Sequence, residues 1–239
     1  MHDFSYRVAD DILQMFPGYR LGVLVYSGLD NAGSHDELTK LLRSAEESAR
    51  ARVVGNVTEG AVVAAWRDAY KRFGAKPSEH RSSIEALLRR VLKPDSIPTI
   101  NPLVDVGTTV SLMNLVPTGV HPIRRESTEI ALRLARTEDR FQAVAGQEPE
   151  DVTPSEVVLA DQADILTRRW TWRQSANTRM TQSTTRAFFN IDALDVSSDN
   201  ALEAAMNEAN KLVARFCGGR LVHSAVLGAN NRSFTCSFD

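Results

Sequence analysis

Residues 165–189 carry Arg168, Arg169, Arg173, Arg179 and Arg186 without one acidic side chain, in a chain whose formal net charge is −2. Trp170 and Trp172, two of the three tryptophans, lie among them. Aromatic planes stack on unpaired bases and guanidinium groups track phosphates, so this mixture suits single-stranded or end-of-stem RNA. Read as a strand pair with a two-residue period, the segment puts Arg168 on the face of Trp170 and Trp172 and turns Arg169, Thr171 and Arg173 the other way. A structural use is equally open: both indoles in the core, and the arginines paired with Glu148, Glu150, Asp151 and Asp161 upstream.

A second basic group, Arg67, Lys71, Arg72, Lys76, Arg81, Arg89, Arg90 and Lys93, is offset only in part by Asp68, Glu79 and Glu85. It reads either as a solvated helix face or as a phosphate-contacting surface. Among the histidines, His80, His121 and His223 fall in structured stretches where a general base near neutral pH could act. His121 is the first choice because it follows the turn-forming Pro117-Thr118-Gly119, where loop groups can face a cleft.

No GxSxG, HExxH, P-loop or GxGxxG is present, and Gly18, Gly22, Gly28 and Gly33 are too dispersed to cradle a pyrophosphate. Kinase, zinc-protease and dehydrogenase readings drop out. Cys217 and Cys236 form no CxxC pair and have no neighbouring His cluster, so reduced thiols are expected, with neither a metal nor a cofactor. A pI near 6.2 argues against wholesale wrapping of a polyanion; any nucleic-acid contact must be local, and DNA is not expected. No apolar run approaches ~18 residues and the first ten lack a signal-peptide core, so the expected location is the cytoplasm, without a membrane contact.

The elements that must position these residues show in the periodicity. Residues 21–26 are β-branched and aromatic between Gly18 and Gly28, as a buried strand requires. From Ser34 the spacing becomes helical: Leu38, Leu41, Leu42, Ala45 and Ala49 share a stripe, with Glu37, Arg43, Glu46 and Arg50 turned outward. Further helices are predicted over 60–73, 82–93 and 104–115, the one over 82–93 with Ile84, Leu87, Leu88, Val91 and Leu92 buried and Glu85 solvated. Residues 97–101 form an extended connector among Pro94, Pro98 and Pro102, and Pro117-Thr118-Gly119 is a turn. Strands follow at 130–134, 141–144, 156–160, 165–172 and 184–191, then a helix over 200–216 and a final alternating segment, 221–238, turning at Asn230-Asn231. The fold class is α+β, with N-terminal helices packed on a mixed sheet: one unit over residues 1–239, helix-rich to about 116 and strand-rich from 117.

Several blocks occur in an order that resembles one family. They are Trp66, then Ala69-Tyr70-Lys71-Arg72-Phe73-Gly74-Ala75-Lys76-Pro77-Ser78, Arg81-Ser82-Ser83-Ile84-Glu85-Ala86-Leu87, Ile97-Pro98-Thr99-Ile100-Asn101-Pro102-Leu103-Val104-Asp105, Val110-Ser111-Leu112, Glu156-Val157-Val158, and Leu166-Thr167-Arg168-Arg169-Trp170-Thr171-Trp172-Arg173. Together they resemble the B3/B4 domain of the phenylalanyl-tRNA synthetase beta subunit, in the form found as a free-standing small protein. The likeness runs from about residue 65 to 193. It implies a layered α/β body with a cleft in which tyrosine wrongly attached to phenylalanine tRNA is hydrolysed off, by positioning a water and the terminal ribose rather than by a covalent nucleophile.

The family's catalytic-loop histidine corresponds to His121, displaced by one or two places; its tyrosine-reading glutamate falls near Asn190 or Asp192. Its Gly-Gly-x-x-Gly-Gly loop is replaced by Arg169-Trp170-Thr171-Trp172-Arg173-Gln174. Indoles there fill space meant for substrate, so a different aminoacyl group, or none, is bound. The resemblance implies a tRNA-binding, aminoacyl-tRNA editing-like protein that takes the acceptor end and hydrolyses a mischarged ester in trans. Asp192 would recognise a polar substrate group and His121 would orient water or ribose. Asn101, Asp105 and Thr108 would line the cleft with Trp170 and Asn190, and Arg169, Trp172 and Arg173 would hold the terminal nucleotides. The alternative is a non-catalytic module for RNA or a small aminoacyl metabolite on the same fold.

Overall fold

Phe4, Tyr6 and Val8 are buried while Ser5 and Arg7 between them are not, and this two-residue period makes residues 2–8 a strand that joins both ends of the chain. The protein is described by a computed structural model covering residues 2–125, 128–162, 164–195 and 199–238. In chain order its main elements are β1 (His2–Val8), α1 (Asp10–Met15), β2 (Arg20–Ser27), α2 (Asp36–Arg52), α3 (Ala61–Arg72), α4 (Ser83–Val91), α5 (Pro102–Asn114), β3 (Thr118–Pro122) and β4 (Glu129–Leu134). They continue as β5 (Arg140–Phe141), β6 (Glu150–Asp151), β7 (Val157–Ala160), β8 (Ile165–Arg168), β9 (Arg173–Gln174), β10 (Arg186–Ala193), α6 (Asp199–Phe216), β11 (Arg220–Leu227) and β12 (Ser233–Phe238).

Two sheets carry the fold. One is six-stranded in the order β12-β1-β4-β7-β8-β9, with β1 and β4 parallel and the other neighbours antiparallel. The other is four-stranded and antiparallel, β11-β2-β10-β3. Alternation along β10 sends Phe188 towards the six-stranded sheet, where its ring lies 5.7 Å from Phe4 and 5.6 Å from Tyr6. Phe189 and Ile191 point the opposite way, into a cluster with Leu103, Val106 and Val110 of α5 and Leu202, Ala205 and Ala209 of α6. The result is a sheet, a second sheet and a helical layer, in agreement with the mixed α+β expectation. Two glycines let the helices close in: a Cβ on Gly22 would lie 2.6 Å from Met206 Sδ, and one on Gly107 2.7 Å from Val120.

The two halves read from the sequence interleave, because β1 and β2 pair with strands from beyond residue 117. Beyond the elements expected from the sequence, the structure adds β1 and α1 near the N-terminus. Two local expectations are corrected. Thr118 and Gly119 belong to β3 rather than to a turn, because β10 supplies hydrogen-bond partners along Thr118–Pro122. The turn at Asn230-Asn231 is present, Gly228 and Asn231 exchanging backbone hydrogen bonds at 2.8 and 3.2 Å, but the strands it joins leave for different sheets, β11 to β2 and β12 to β1. Glu46 and Glu85 are buried rather than solvated, Glu46 accepting from the Ile97 N–H at 2.7 Å and from the Arg43 guanidinium.

Candidate functional site

Across the β3–β10 pair, Phe188 is opposite His121 and Asn190 is opposite Gly119. These four and Asp192 share the face that looks toward the six-stranded sheet, by the strand period. Gly119 places no side chain opposite Asn190, and the gap is closed from above by the tip joining β8 to β9. The resulting hollow, about 170 Å³, is lined by Pro117, Thr118, Gly119, His121, Asn190 and Asp192 below and by Thr167, Trp170, Thr171, Trp172, Arg173 and Gln174 above, with Ser83 at one side. Gly119 is also where a Cβ would come within 3.0 Å of His121 Nε2, so a larger residue would crowd the imidazole.

Asp192 anchors the hollow. The Tyr19 hydroxyl donates to its Oδ1 at 2.5 Å and the Trp170 indole N–H donates to the same oxygen at 3.0 Å. Burial pushes its pKa up to about 6 against the pull of those two bonds. His121 is stacked on Phe188 at 5.1 Å, and burial holds its pKa down at about 3, so it is neutral. Its Nδ1 lies 3.2 Å from the Gln174 amide nitrogen, which donates to the Thr178 carbonyl at 2.7 Å. An amide nitrogen cannot accept, so Nδ1 is the bare nitrogen and Nε2 carries the hydrogen. Asn190 Oδ1 and Thr118 Oγ1 are buried with no hydrogen-bond partner among the described residues.

The tip departs from the simple strand pair expected over 165–172. β8 ends at Arg168, after which Arg169 and Trp170 both adopt left-handed backbone, φ 49° and 61°. Left-handed conformation in two consecutive non-glycine residues costs about 1–2 kcal/mol each. The surroundings impose it. Trp170 N–H donates to the Val157 carbonyl at 2.7 Å, and its indole packs against Phe16, Tyr19 and Trp66 at 4.9, 4.9 and 5.0 Å. Trp170 is therefore a core residue, 3% exposed, that presents one side to the hollow.

Arg168 and Arg169 follow the structural alternative, although their main partner is Glu156 rather than one of the four acids expected. Arg168 is buried, donating from Nε and Nη2 to Glu156 at 2.8 and 2.9 Å and from Nη1 to Glu150 at 2.8 Å. Arg169 donates to Glu156 at 3.0 Å and stands 4.8 Å over the Trp172 ring. Burial pushes the Glu156 carboxyl up, but hydrogen bonding and the charge of Arg168 outweigh it and hold the group below its usual range. Arg173 sits 6.0 Å over the other reach of Trp172, and His80 meets that ring edge-on at 4.5 Å.

Asn101, Asp105 and Thr108 are not brought to the hollow. Asn101 Oδ1 caps α5 by accepting from Val104 N–H at 3.1 Å, Asp105 accepts from Ile100 N–H at 2.9 Å, and Thr108 donates to the Val104 carbonyl at 3.0 Å. α5 packs on the opposite face of the four-stranded sheet, so Asn101 and Asp105 build its start and Thr108 bonds back within it instead of lining a cleft wall. Five of the eight helix-borne basic residues are paired, though on three carboxylates the group stays net positive: buried Glu85 receives Arg67 at 3.0 Å and Arg89 at 2.9 Å, with Arg81 at 3.9 Å, and Lys71 and Lys76 pair with Asp68 and Glu79. His223 stacks on Phe234 at 4.3 Å, away from the hollow. Tyr19, Gly119, Thr118, Gln174 and Glu156 were not singled out from the sequence; the adjacency of Gly119 to His121 is the one local signal that pointed there.

Among the described residues no cluster of His, Cys, Asp and Glu could hold a metal, and no helix is long and apolar enough to cross a membrane. A family model described as "B3/4 domain" matches residues 65–218, which include every residue lining the hollow. Among solved structures, an N-terminal fragment of the phenylalanyl-tRNA synthetase beta-subunit from Pyrococcus horikoshii is similar over 94% of this chain, with 12% identity and a TM-score of 0.47. The chain spans 54% of that fragment. No curated protein matches it.

Proposed function

Because the chain belongs to the B3/4 domain family, we propose that it recognises the aminoacyl end of a charged tRNA in the hollow beneath the β8–β9 tip and hydrolyses a mischarged ester there. The observation that carries this reading is an acceptor left waiting on the hollow's face: Asn190 Oδ1, buried without a partner among the described residues, two positions along β10 from the Asp192 carboxylate. An unsatisfied buried polar atom costs about 1–3 kcal/mol, so such a wall favours a donor-rich occupant. An α-ammonium and a ribose hydroxyl are donors. With both its bonds on Oδ1, Asp192 keeps Oδ2 for the ammonium, and His121 Nε2–H is a donor for the ester carbonyl or ribose oxygen. In the hydrolysis a water oxygen bonds to the carbonyl carbon, the carbon–ribose oxygen bond breaks, and the water's proton ends on the ribose oxygen. Chain groups contribute by orientation.

The second reading, a small aminoacyl metabolite bound without turnover, is favoured by one observation: Arg168, Arg169 and five of the eight helix-borne basic residues already pair with carboxylates, leaving fewer cations for a tRNA backbone. Incubation with a panel of mischarged tRNAs tests the first reading. Ester loss above the uncatalysed rate sustains it, saturable binding of an aminoacyl-adenosine amide without ester loss selects the second, and neither result retires both.

Three variants sharpen the test. Asp192→Asn keeps an acceptor for Tyr19 and Trp170 but loses the charge, so affinity for an aminoacyl-adenosine amide should fall by about tenfold or more, as a charge-assisted bond is worth about 1.5–3 kcal/mol. Affinity for uncharged tRNA should hold; equal loss of both would make Asp192 structural. Arg173→Ala should flatten the salt dependence of tRNA binding by about one phosphate contact, whereas Arg169→Ala, already paired to Glu156, should change it little. An unchanged slope for Arg173→Ala would remove that side chain from the RNA surface.

A further inference from the structure

The geometry points to Trp170 as the residue that sets the size of the aminoacyl group, restricting the hollow to small side chains of glycine, alanine or serine size and excluding aromatic ones. This deepens the proposed function and rests on it. The hollow measures about 170 Å³. A cavity of about 150 Å³ takes one benzene ring, so an acyl group whose ammonium, Cα and ester carbonyl sit against Asn190 and Asp192 leaves little room for an aromatic side chain between them and Trp170.

The wall that limits it does not yield. Trp170 is fixed by its indole bond to Asp192 at 3.0 Å, by Phe16, Tyr19, Trp66 and Phe73 around its ring at 4.9 to 6.4 Å, and by a left-handed backbone that its neighbours impose. A rotation that vacated the hollow would have no space on the far side, where those rings are close-packed. The same indole N–H and the Tyr19 hydroxyl both occupy Asp192 Oδ1, so the residue that binds the ammonium and the residue that limits the side chain are held in one fixed geometry. Size selection by a rigid wall is effective because overpacking, unlike a missing methylene, has no compensating position.

The test is a competition series with non-hydrolysable 3′-aminoacyl-adenosine amides of glycine, alanine, serine, phenylalanine and tyrosine, on wild type and two variants. Wild type is expected to bind the three small amides at least about tenfold tighter than the aromatic ones. Trp170→Ala should bring the aromatic amides up to within about threefold of the small ones. Trp170→Phe, which keeps most ring packing and so guards against a failure to fold, should give an intermediate ratio while thermal unfolding stays cooperative. Equal binding of small and aromatic amides by wild type, or an unchanged ratio in a folded Trp170→Phe protein, overturns Trp170 as the selector and leaves the proposed function standing. Binding of none of the amides overturns that function itself, and the selector with it.

Discussion

Replacing Glu156 with alanine is expected to destabilise the protein by about 3–5 kcal/mol, the cost of leaving a buried guanidinium without its counter-charge. Arg168 is only 7% exposed and takes two of its three carboxylate bonds from Glu156; Glu150, the third, is itself half in solvent. Denaturant unfolding at constant m-value measures the loss. A companion double variant, Glu156→Leu with Arg168→Met, should recover much of it, since an apolar pair of similar volume replaces a buried ion pair at little cost. A loss below about 1 kcal/mol would mean that Arg168 reaches water and that Glu156 is an ordinary surface partner. The consequence reaches the hollow, because Glu156 also receives Arg169, the first of the two left-handed residues that carry Trp170 into place.

The second large effect is a change of sign in acid. His121 titrates near 6.5 when unfolded and at about 3 when folded, so its contribution is complete above pH 6.5 and is lost as pH falls towards 3. Asp192 runs the other way: from 3.8 unfolded to about 6 folded, its contribution is complete below pH 3.8 and is lost as pH rises through 6. Between pH 6.5 and 4 the histidine therefore removes on the order of 3 kcal/mol while the aspartate restores about 2 kcal/mol. Wild type should lose stability only gently over that range. His121→Gln, which cannot charge, should instead become more stable towards pH 4, and Asp192→Asn should lose stability more steeply than wild type. Parallel pH profiles for all three proteins would show that neither group is held away from solvent as the hollow requires.

The helices were legible because a helix writes its buried face into its own spacing. The stripes of Leu38, Leu42, Ala45 and Ala49 and of Ile84, Leu88 and Val91 are buried as the period requires, and Ser82 and Asn101 mark helix starts that the structure uses as caps. The family, too, was readable from ordered blocks of residues, and His121, Asn190, Asp192, Trp170, Trp172 and Arg173 do converge. Asn101 and Asp105 sat in one of those blocks and Thr108 close after it, yet all three serve the opposite face of a sheet, because position along α5 says nothing about which layer the helix covers.

What escaped the linear reading shares one cause. Glu46, Glu85 and Glu156 look like solvent-facing charges until Ile97, Arg67 and Arg168 arrive from distances of 51, 18 and 12 residues along the chain. Tyr19 becomes part of the site only by meeting Asp192 across 173 residues. Local periodicity is a property of neighbouring side chains competing for one face, and it survives in any tertiary setting. The partner of a buried charge, the hand of the backbone at Arg169 and Trp170, and the gap that Gly119 leaves opposite Asn190 depend on strand register, which is set by the packing of the whole core.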